Sequence, residues 1–288
     1  MTRPMTEALI DSHDAALFDL DGVVYLGSEV VPAAPATMSR LRANGVGVGF
    51  VTNNAARATT VVADQLTDMG IPAAPSDVVS SAEAVTALVA TELGQGTRVL
   101  IAATSNVDDL ARKRGLVPVH GADEHPQAVI QGYDPDIEWS RLEEAAFAVQ
   151  AGARWYASNP DMTRPTDRGL VPGLGAQLAV VGACVDREPT MAGKPARPLL
   201  EATCTRLGCH RPIFVGDRLD TDILGARNAG ITSLFVLTGA HGVHDLMDAD
   251  PDRRPDHIGA DLGALLEPPQ RVVVDGDAAR CDGQLVRQ

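Results

Sequence analysis

Two aspartates, one residue apart, follow a short apolar run near the start of the chain. Residues 15–18 are apolar, and Asp19, Leu20, Asp21 and Gly22 come directly after them. A short apolar run that ends at a turn residue is typical of a buried strand. Because successive strand residues point to opposite faces, Asp19 and Asp21 are expected to project from the same side. Neighbouring carboxylates repel each other, so the pattern indicates a site that shares a cation or a proton.

Three further polar stretches stand at predicted strand ends or in loops. They are Thr52-Asn53-Asn54, Gly193-Lys194-Pro195 and residues 216–222, which contain Asp217, Asp220 and Asp222. Each stretch alone has a structural explanation as a turn, a helix N-cap or a solvated acidic loop. Together with the aspartate pair they supply a hydroxyl group, a lysine and further carboxylates. Such a set of groups is suited to binding a phosphate group and a magnesium ion.

In this order, the motifs resemble those of the haloacid dehalogenase (HAD) phosphatase superfamily. The most specific are Phe18-Asp-Leu-Asp-Gly, Val51-Thr-Asn-Asn and Gly216-Asp-Arg-Leu-Asp-Thr-Asp. The resemblance extends over residues 15–266 and is strongest to the NagD-like and p-nitrophenylphosphatase-like subgroup. Members of this subgroup carry a large α/β cap between the second and third motifs. They include phosphoglycolate, glycerol-phosphate, pyridoxal-phosphate and nucleotide phosphatases.

The resemblance implies catalytic roles for four residues, and the chemistry of their side chains suits those roles. Asp19 would attack phosphorus to form an aspartyl-phosphate intermediate. Asp21 would protonate the leaving alcohol and then deprotonate the water that hydrolyses the intermediate. Thr52 would donate its hydroxyl to the phosphoryl oxygens. Lys194 would neutralise the charge that develops there and would hold Asp19.

Magnesium is the cofactor that the resemblance implies. Its protein ligands would be the carboxylates of Asp19 and Asp217 and the backbone carbonyl of Asp21, with water completing the coordination. Asp222 would orient this set from behind, without touching the metal, and Asp220 would face solvent. The positive charge of the ion would also let Asp19 ionise beside Asp21.

Residues on both sides of the insertion are expected to contact the substrate. In the main unit these are Gly22, Asn53, Asn54 and Lys194. In the cap they are Asn159 and Asp161, because Ser158-Asn-Pro-Asp161 resembles a stretch of related caps that faces the core site. An equally good explanation of Asn159 and Asp161 is a turn that caps the end of a strand.

The substrate is expected to be a small phosphorylated metabolite. Aromatic residues make up only 3% of the chain, and Trp139, Trp155 and Tyr156 are the evident stacking candidates in the cap. This scarcity favours small polyol or hydroxyacid phosphates such as glycerol 3-phosphate or phosphoglycolate. A nucleotide or pyridoxal-phosphate phosphatase is the alternative.

The elements that position these residues predict an α/β fold, with a Rossmann-like parallel-sheet core and a second, inserted α/β cap domain. The core is assigned to residues 1–79 and 190–267, the cap to 80–189, and residues 268–288 form a tail of uncertain role. Within this scheme residues 1–14 are a polar leader and 169–173 a turn. After the first strand, strands are predicted at 46–51, 98–102, 128–132, 154–158, 212–216, 232–237 and 271–275. Helices are predicted at 35–44, 58–69, 81–92, 107–114, 139–151, 173–182, 196–207, 222–229 and 261–266.

Composition limits the other classes of function. There are 38 acidic and 24 basic residues, a net charge of −14, which argues against binding nucleic acid or an anionic membrane surface. The four cysteines form no CxxC pair, and Cys204, Cys209 and His210 lack a second ligand pair for zinc. The sequence shows no signal peptide pattern and no apolar run long enough to span a bilayer. A cytoplasmic enzyme is therefore expected, and the resemblance suggests a homodimer formed through the cap.

Rival functions are less consistent with the motifs. A dehalogenase of the same superfamily needs no acid at the position of Asp21, and a phosphomutase usually carries its cap after the first motif. An EF-hand loop is excluded because Gly22 follows directly after Asp21. A non-catalytic phosphometabolite-binding protein would typically lack Asp19, Asp21 or Lys194, and all three are present.

Overall fold

The computed structural model describes residues 7–166 and 168–269 and the strands at 272–275, 278–281 and 284–287. It has two parallel sheets, each packed with helices, which confirms the predicted α/β class with a Rossmann-like sheet. We call the unit around the larger sheet the core and the unit around the smaller sheet the cap. Among the described residues no helix has both the length and the apolar character needed to cross a membrane.

The helices and strands agree closely with the predicted pattern along most of the chain. The strands are β1 (Ala15–Phe18), β2 (Tyr25–Leu26), β3 (Glu29–Val30), β4 (Gly47–Thr52), β5 (Val78–Ser80), β6 (Arg98–Ala102), β7 (Val117–Val119), β8 (Ala128–Gln131), β9 (Arg154–Ala157), β10 (Thr163–Thr166), β11 (Gly169–Pro172), β12 (Thr190–Met191), β13 (Pro212–Gly216), β14 (Thr232–Val236), β15 (His257–Gly259), β16 (Val272–Asp275), β17 (Ala278–Cys281) and β18 (Gln284–Arg287). The α-helices are α1 (Ala34–Ala43), α2 (Thr59–Asp68), α3 (Ser81–Leu93), α4 (Ser105–Lys113), α5 (Trp139–Gln150), α6 (Leu174–Gly182), α7 (Pro198–Leu207), α8 (Leu224–Ala229) and α9 (Val243–Met247).

The core sheet has six parallel strands in the order β15-β14-β13-β1-β4-β5. Strand β1 lies inside the sheet and is completely buried, which explains its uninterrupted apolar sequence. It pairs with β4 on one side and β13 on the other, so that Leu17 lies opposite both Gly49 and Phe214. Because the three strands are parallel, the residues that follow them meet at one edge of the sheet.

The cap sheet has five parallel strands in the order β12-β9-β8-β6-β7. The chain enters the cap through α3, whose N-terminus is closed by a capping box between Ser80 and Glu83. Strand β12 pairs with β9 in this sheet, although residues 190 and 191 fall just inside the predicted core segment. We propose that the chain returns to the core after Met191. A strand of two residues has no readable periodicity, so the sequence could not locate this crossing.

The start of the described chain differs from the predicted polar leader. Residues Leu9–Ser12 form a 3-10 helix in which Leu9 and Ile10 are buried against the core. The backbone N–H of Leu9 also donates to the carbonyl of Glu267 at 2.8 Å. The prediction of a polar leader was wrong here. Two apolar residues among polar ones show no periodicity in the sequence, and only tertiary packing buries them. Residues 1–6 of the leader lie outside the described residues.

Several short elements were also absent from the predicted pattern or predicted in another form. Residues 169–173 were predicted as a turn, but β11 pairs with β10 in an antiparallel hairpin. Strands β7 and β15 and helix α9 were missed, since the two strands have three residues each and a helix of five residues is too short to show a helical period. The last predicted helix, at 261–266, is a 3-10 helix at Leu262–Leu266. In the tail, β16, β17 and β18 form a three-stranded antiparallel sheet, which provides the partner that the sequence did not identify.

Candidate active site

A cavity of about 550 Å³ lies between the carboxyl edge of the core sheet and the cap. Its walls come from the loops after β1, β4, β13 and β14, from the segment after β12, and from the cap residues that follow β9. Every site residue predicted from the sequence lines this cavity: Asp19, Asp21, Gly22, Thr52, Asn53, Asn54, Asn159, Asp161, Lys194, Asp217 and Asp222. The fold thus brings together residues that are up to 203 positions apart in sequence (19 to 222).

Lys194 is the buried cation of the site. Its side chain is 2% exposed, and its Nζ lies 2.6 Å from Asp19 Oδ1 and 2.8 Å from Asp222 Oδ1. Burial alone would lower the pKa of Lys194, but the carboxylates of Asp19 and Asp222 raise it above its ordinary value. The lysine is therefore a permanent ammonium group that holds the Asp19 carboxylate in place.

Asp222 holds the loop after β13 in addition to its contact with Lys194. Its Oδ2 accepts the backbone N–H of Asp217 at 3.2 Å and that of Arg218 at 3.1 Å. The loop passes so close that a Cβ atom on Gly216 would lie 2.2 Å from the Cβ of Asp222. Asp222 stands in a π-helical turn, Leu219–Ile223, that precedes α8. It orients its neighbours instead of capping the helix, because its Oδ2 binds the preceding loop and its Oδ1 faces the ammonium group of Lys194.

Asp217 carries an oxygen without a partner. Its Oδ2 accepts the backbone N–H of Ala240 at 2.6 Å, while its buried Oδ1 has no hydrogen-bond partner among the residues that the structure describes. Burial, followed by the nearby charge of Asp222, raises the pKa of Asp217 to about 7. Burial also raises the pKa of Asp19, and the ammonium of Lys194 opposes this shift. Both carboxyl groups therefore lie in surroundings that favour an added cation.

These residues fit a divalent metal ion. Carboxylate oxygens of Asp19, Asp217 and Asp222 lie within 4.8 Å of one another. When ionised, the three carboxylates and the one ammonium group carry a net local charge of −2, and the unpartnered Oδ1 of Asp217 offers a hard oxygen ligand of the kind that magnesium prefers. Asp222 Oδ2 accepts two backbone N–H groups and its Oδ1 forms an ion pair with Lys194 at 2.8 Å, so Asp19 and Asp217 are the better placed carboxylate ligands.

Asp21 and Gly22 form the tight turn after β1. Gly22 has a φ of +88°, and its N–H donates to the carbonyl of Tyr25 at 2.8 Å. A Cβ atom at Gly22 would lie only 2.3 Å from Asp217 Oδ2, so both the backbone conformation and the available space require glycine. The Asp21 side chain is exposed to the cavity. Its pKa is raised because the cavity walls displace water around it, and the charge of Arg57 is the largest effect in the opposite direction.

The loop after β4 presents three polar side chains, which differ in how many of their hydrogen-bonding groups are already used by the protein. Thr52 Oγ1 accepts the backbone N–H of Asn54 at 3.1 Å, which leaves its hydroxyl proton for a phosphate oxygen. Asn54 Oδ1 accepts the N–H of Ala56 at 3.0 Å, which leaves its amide group for another acceptor. Asn53, in contrast, uses both ends of its side chain on protein groups, as it contacts the Lys194 backbone and Asp161.

Both explanations of Asn159 and Asp161 apply together. Asn159 Oδ1 accepts the N–H of Asp161 at 3.1 Å, as expected for a turn that ends a strand. Its amide group donates to the core at the carbonyl of Asn53, 2.7 Å away. Burial raises the pKa of Asp161, and the positive charge of Arg218 opposes that shift. The cap segment is therefore a turn and also a contact with the core site.

Several cavity residues were missed from the sequence. The largest of them are Arg57, Tyr133, Arg164 and Arg218, and the small residues Gly239 and Ala240 approach Asp217. The Cζ atom of Arg164 lies 5.2 Å from the ring centroid of Tyr133, a cation–π distance. No spacing pattern marks these residues, because separate loops bring them to the cavity. Only Arg218, inside a recognised motif, carried a local signal.

Some expectations about individual side chains were wrong. Trp155 and Tyr156 are buried in the cap, and Trp139 is 64% exposed away from the cavity, so none of the three offers a stacking surface there. Asp220 faces solvent as expected, with its side chain 39% exposed, and it also pairs with Arg218 at 3.0 Å. Within the described residues, Asp19, Asp217 and Asp222 are the one group of His, Cys, Asp and Glu side chains that could hold a metal ion.

Comparison with known proteins agrees with this geometry. A haloacid dehalogenase-like hydrolase model matches residues 16–117, and a HAD-hydrolase-like model matches residues 191–265. The chain is 42% identical over 259 residues to D-glycerol 3-phosphate phosphatase from Mycobacterium tuberculosis, and the match covers 90% of this chain and 72% of that protein.

Solved structures give the same result. A crystal structure of glycerol phosphate phosphatase from Mycobacterium tuberculosis, in complex with magnesium, superposes with a TM-score of 0.88 at 40% identity and covers 96% of this chain and 86% of that one. The 4-nitrophenylphosphatase of Thermotoga maritima gives a TM-score of 0.83 at 29% identity and covers 90% of this chain and 98% of that one. The chain therefore belongs to the haloacid dehalogenase-like hydrolase family and is a phosphoric monoester hydrolase.

Proposed function

We propose that this enzyme hydrolyses glycerol 3-phosphate in a magnesium-dependent reaction. The main support for this substrate is the 42% identity, over 90% of the chain, to D-glycerol 3-phosphate phosphatase. The cavity supports it, because a volume of about 550 Å³ suits a small metabolite. Magnesium is supported by the fit of the carboxylate cluster and by the magnesium complex of the relative.

In the proposed reaction Asp19 attacks phosphorus, and the bond from phosphorus to the glycerol oxygen breaks. Asp21, whose raised pKa favours the protonated form, gives its proton to that oxygen. Asp21 then takes a proton from water, which attacks the aspartyl-phosphate and releases phosphate. Thr52 and Lys194 stabilise the phosphoryl oxygens during both steps. When bound, magnesium would supply positive charge beside Asp19 and Asp217.

The part of the cavity next to the cap supports an oxygen-rich leaving group. Arg164 extends from the β10–β11 hairpin to the cavity, and its buried Nε has no hydrogen-bond partner within the described part of the chain. A guanidinium in this state is suited to the hydroxyl groups of glycerol. The same charge would also suit a carboxylate, so phosphoglycolate is the second candidate. The ring of Tyr133 is already covered by Arg164, which disfavours a substrate that needs aromatic stacking.

A comparison of four esters tests the substrate. We expect the highest kcat/KM for glycerol 3-phosphate, with lower values for propyl phosphate, 2-phosphoglycolate and p-nitrophenyl phosphate. Arg164→Met should remove most of the preference for glycerol 3-phosphate over propyl phosphate, which has the same carbon chain without hydroxyl groups. Arg168→Met is the matched control, because Arg168 is exposed on the same hairpin and does not line the cavity. A higher kcat/KM for 2-phosphoglycolate would refute glycerol 3-phosphate as the preferred substrate and would support phosphoglycolate instead.

A homodimer through the cap and a cytoplasmic location belong to the same proposal. Trp139 and Phe147 on α5 are 64% and 54% exposed and support an apolar contact between two caps. Light scattering of the wild type and of Trp139→Lys tests this contact. A monomeric wild type would refute it. Fractionation of cells that produce the protein tests the location.

A further inference from the structure

Asn53 is placed where it could act on the catalytic lysine instead of on the substrate. We propose that Asn53 is a positioning residue that fixes the backbone of Lys194 and links it to Asp161 of the cap. The inference rests on the proposed roles of Asp19 and Lys194 and adds to them a coupling between the cap and the nucleophile. It also replaces the substrate contact that the sequence predicted for Asn53.

The inference is based on three hydrogen bonds of the Asn53 side chain. Its Oδ1 accepts the backbone N–H of Lys194 at 2.9 Å, and its Nδ2 donates to the carbonyl of the same residue at 3.0 Å. The second amide hydrogen reaches Asp161 Oδ2 at 3.2 Å. The opposite orientation of the amide would bring like groups together at every contact, so the partners fix the orientation. The two hydrogens of Nδ2 are thereby used.

The segment that carries Lys194 is held from its other side by the cap. The N–H of Gly193 donates to the carbonyl of Ser158 at 2.8 Å. A Cβ atom on Gly193 would lie 2.3 Å from that carbonyl oxygen and 2.6 Å from Asn53 Oδ1, so glycine permits both contacts. The backbone carbonyl of Asn53 in turn accepts the amide of Asn159 at 2.7 Å. The backbone of Gly193 and Lys194 is thus held by Asn53 of the core and by Ser158 of the cap.

This arrangement has a consequence for catalysis. The Nζ of Lys194 is 2.6 Å from Asp19 Oδ1. This distance depends on the position of the Lys194 backbone, from which the side chain extends. If Asn53 is lost, we expect the ammonium group to shift relative to Asp19 and the phosphoryl oxygens. Misplacement of a catalytic group by about 1 Å can cost about 100-fold in rate. The binding of the substrate should change little, because both amide hydrogens of Asn53 and one lone pair of its Oδ1 are already used on protein groups.

The test compares kcat and KM for the variants Asn53→Ala and Asn53→Asp. Asn53→Asp keeps the size and the acceptor for the lysine N–H, but it places a second oxygen against the Lys194 carbonyl and Asp161. We expect both variants to lose about 100-fold in kcat, with KM close to that of the wild type. Asn106→Ala is the matched control, because Asn106 donates to the carbonyl of Ala55 at 3.0 Å and does not bond Lys194 or Asp161.

A double-mutant cycle tests the link to the cap. Asp161→Asn retains an acceptor for Asn53 and should therefore lose less kcat than Asp161→Ala, which removes the contact. The loss in Asn53→Ala/Asp161→Ala should be smaller than the product of the two single losses, because the residues act through one contact. Thermal unfolding confirms that each variant is folded.

Three results would overturn the inference while the wild type remains an active phosphatase. They are a normal kcat in Asn53→Asp, a rise in KM with kcat unchanged, and independent effects in the double-mutant cycle. The second result would restore the role of Asn53 in binding the substrate. A wild type that is inactive on every ester would instead refute the proposed function itself.

Discussion

Replacing Gly239 by alanine should disable the metal site without removing any of its carboxylates. Gly239 follows β14, and a Cβ atom there would lie 2.0 Å from Asp217 Oδ2 and 2.4 Å from its Cγ. Contacts of a Cβ atom below 3.0 Å essentially never occur, so the carboxylate would have to move by about 1 Å (3.0 minus 2.0). Asp217 is buried and already bonded to Ala240, so this movement breaks the bond and displaces the unpartnered Oδ1.

The expected effect is a loss of about 10- to 100-fold in magnesium affinity, the range found when the support of a metal ligand is removed. Isothermal titration with magnesium measures the affinity, and phosphate release at saturating magnesium measures the remaining activity. Gly242→Ala is the control, because a Cβ atom at Gly242 meets nothing within 4 Å and its φ is −117°. Wild-type affinity in Gly239→Ala would refute the placement of Asp217 at the metal.

Three further predictions follow from the buried charges and the polar donors. Lys194→Met leaves Asp19 and Asp222 without their ammonium partner and should lower the free energy of unfolding by about 3–5 kcal/mol in urea titrations with chelator; an unchanged value would contradict the buried ion pairs. Thr52→Val should lower kcat by about 10² to 10³, as for a lost oxyanion donor, and a normal kcat would remove Thr52 from the mechanism. The pKa of Asp217 is raised from 3.8 to about 7, so the folded, metal-free protein holds a proton that the unfolded chain has lost between these values. Its stability should therefore fall as pH rises through this window, by up to about 1.4 kcal/mol per pH unit, and magnesium affinity should weaken as pH falls below about 7. Asp217→Asn should make this dependence of stability on pH less steep, and an equally steep dependence in the variant would assign it to the other buried carboxyl groups.

Local signals in the sequence predict only part of the candidate site. Asp19 and Thr52 follow apolar strands, and the carboxyl ends of parallel strands meet at one edge of a sheet, so strand prediction alone places them together. Lys194 has no such signal, since it lies in a loop after a two-residue strand. Its assignment depended on the resemblance to a family.

The rest of the site depends on tertiary contacts that no spacing encodes. Gly239 and Arg164 reach the cavity from loops that are 75 positions apart, and nothing in their local sequence distinguishes them from other loop residues. Asn53 lines the cavity, but its residue type does not show whether it contacts a substrate or the backbone, because an asparagine can bind either. Trp155 and Tyr156 lie in a parallel strand buried on both faces, so their apolar sequence could not show which way each ring points.

The most direct test of the account is phosphate release from glycerol 3-phosphate by the wild type and by Asp19→Asn, each with magnesium and with excess chelator. Asn keeps the size of the side chain but removes the nucleophilic carboxylate and one half of the ion pair with Lys194. We predict release by the wild type with magnesium, and none by the wild type with chelator or by Asp19→Asn in either condition. Release by Asp19→Asn at a rate near that of the wild type would contradict the assignment of Asp19 as the nucleophile.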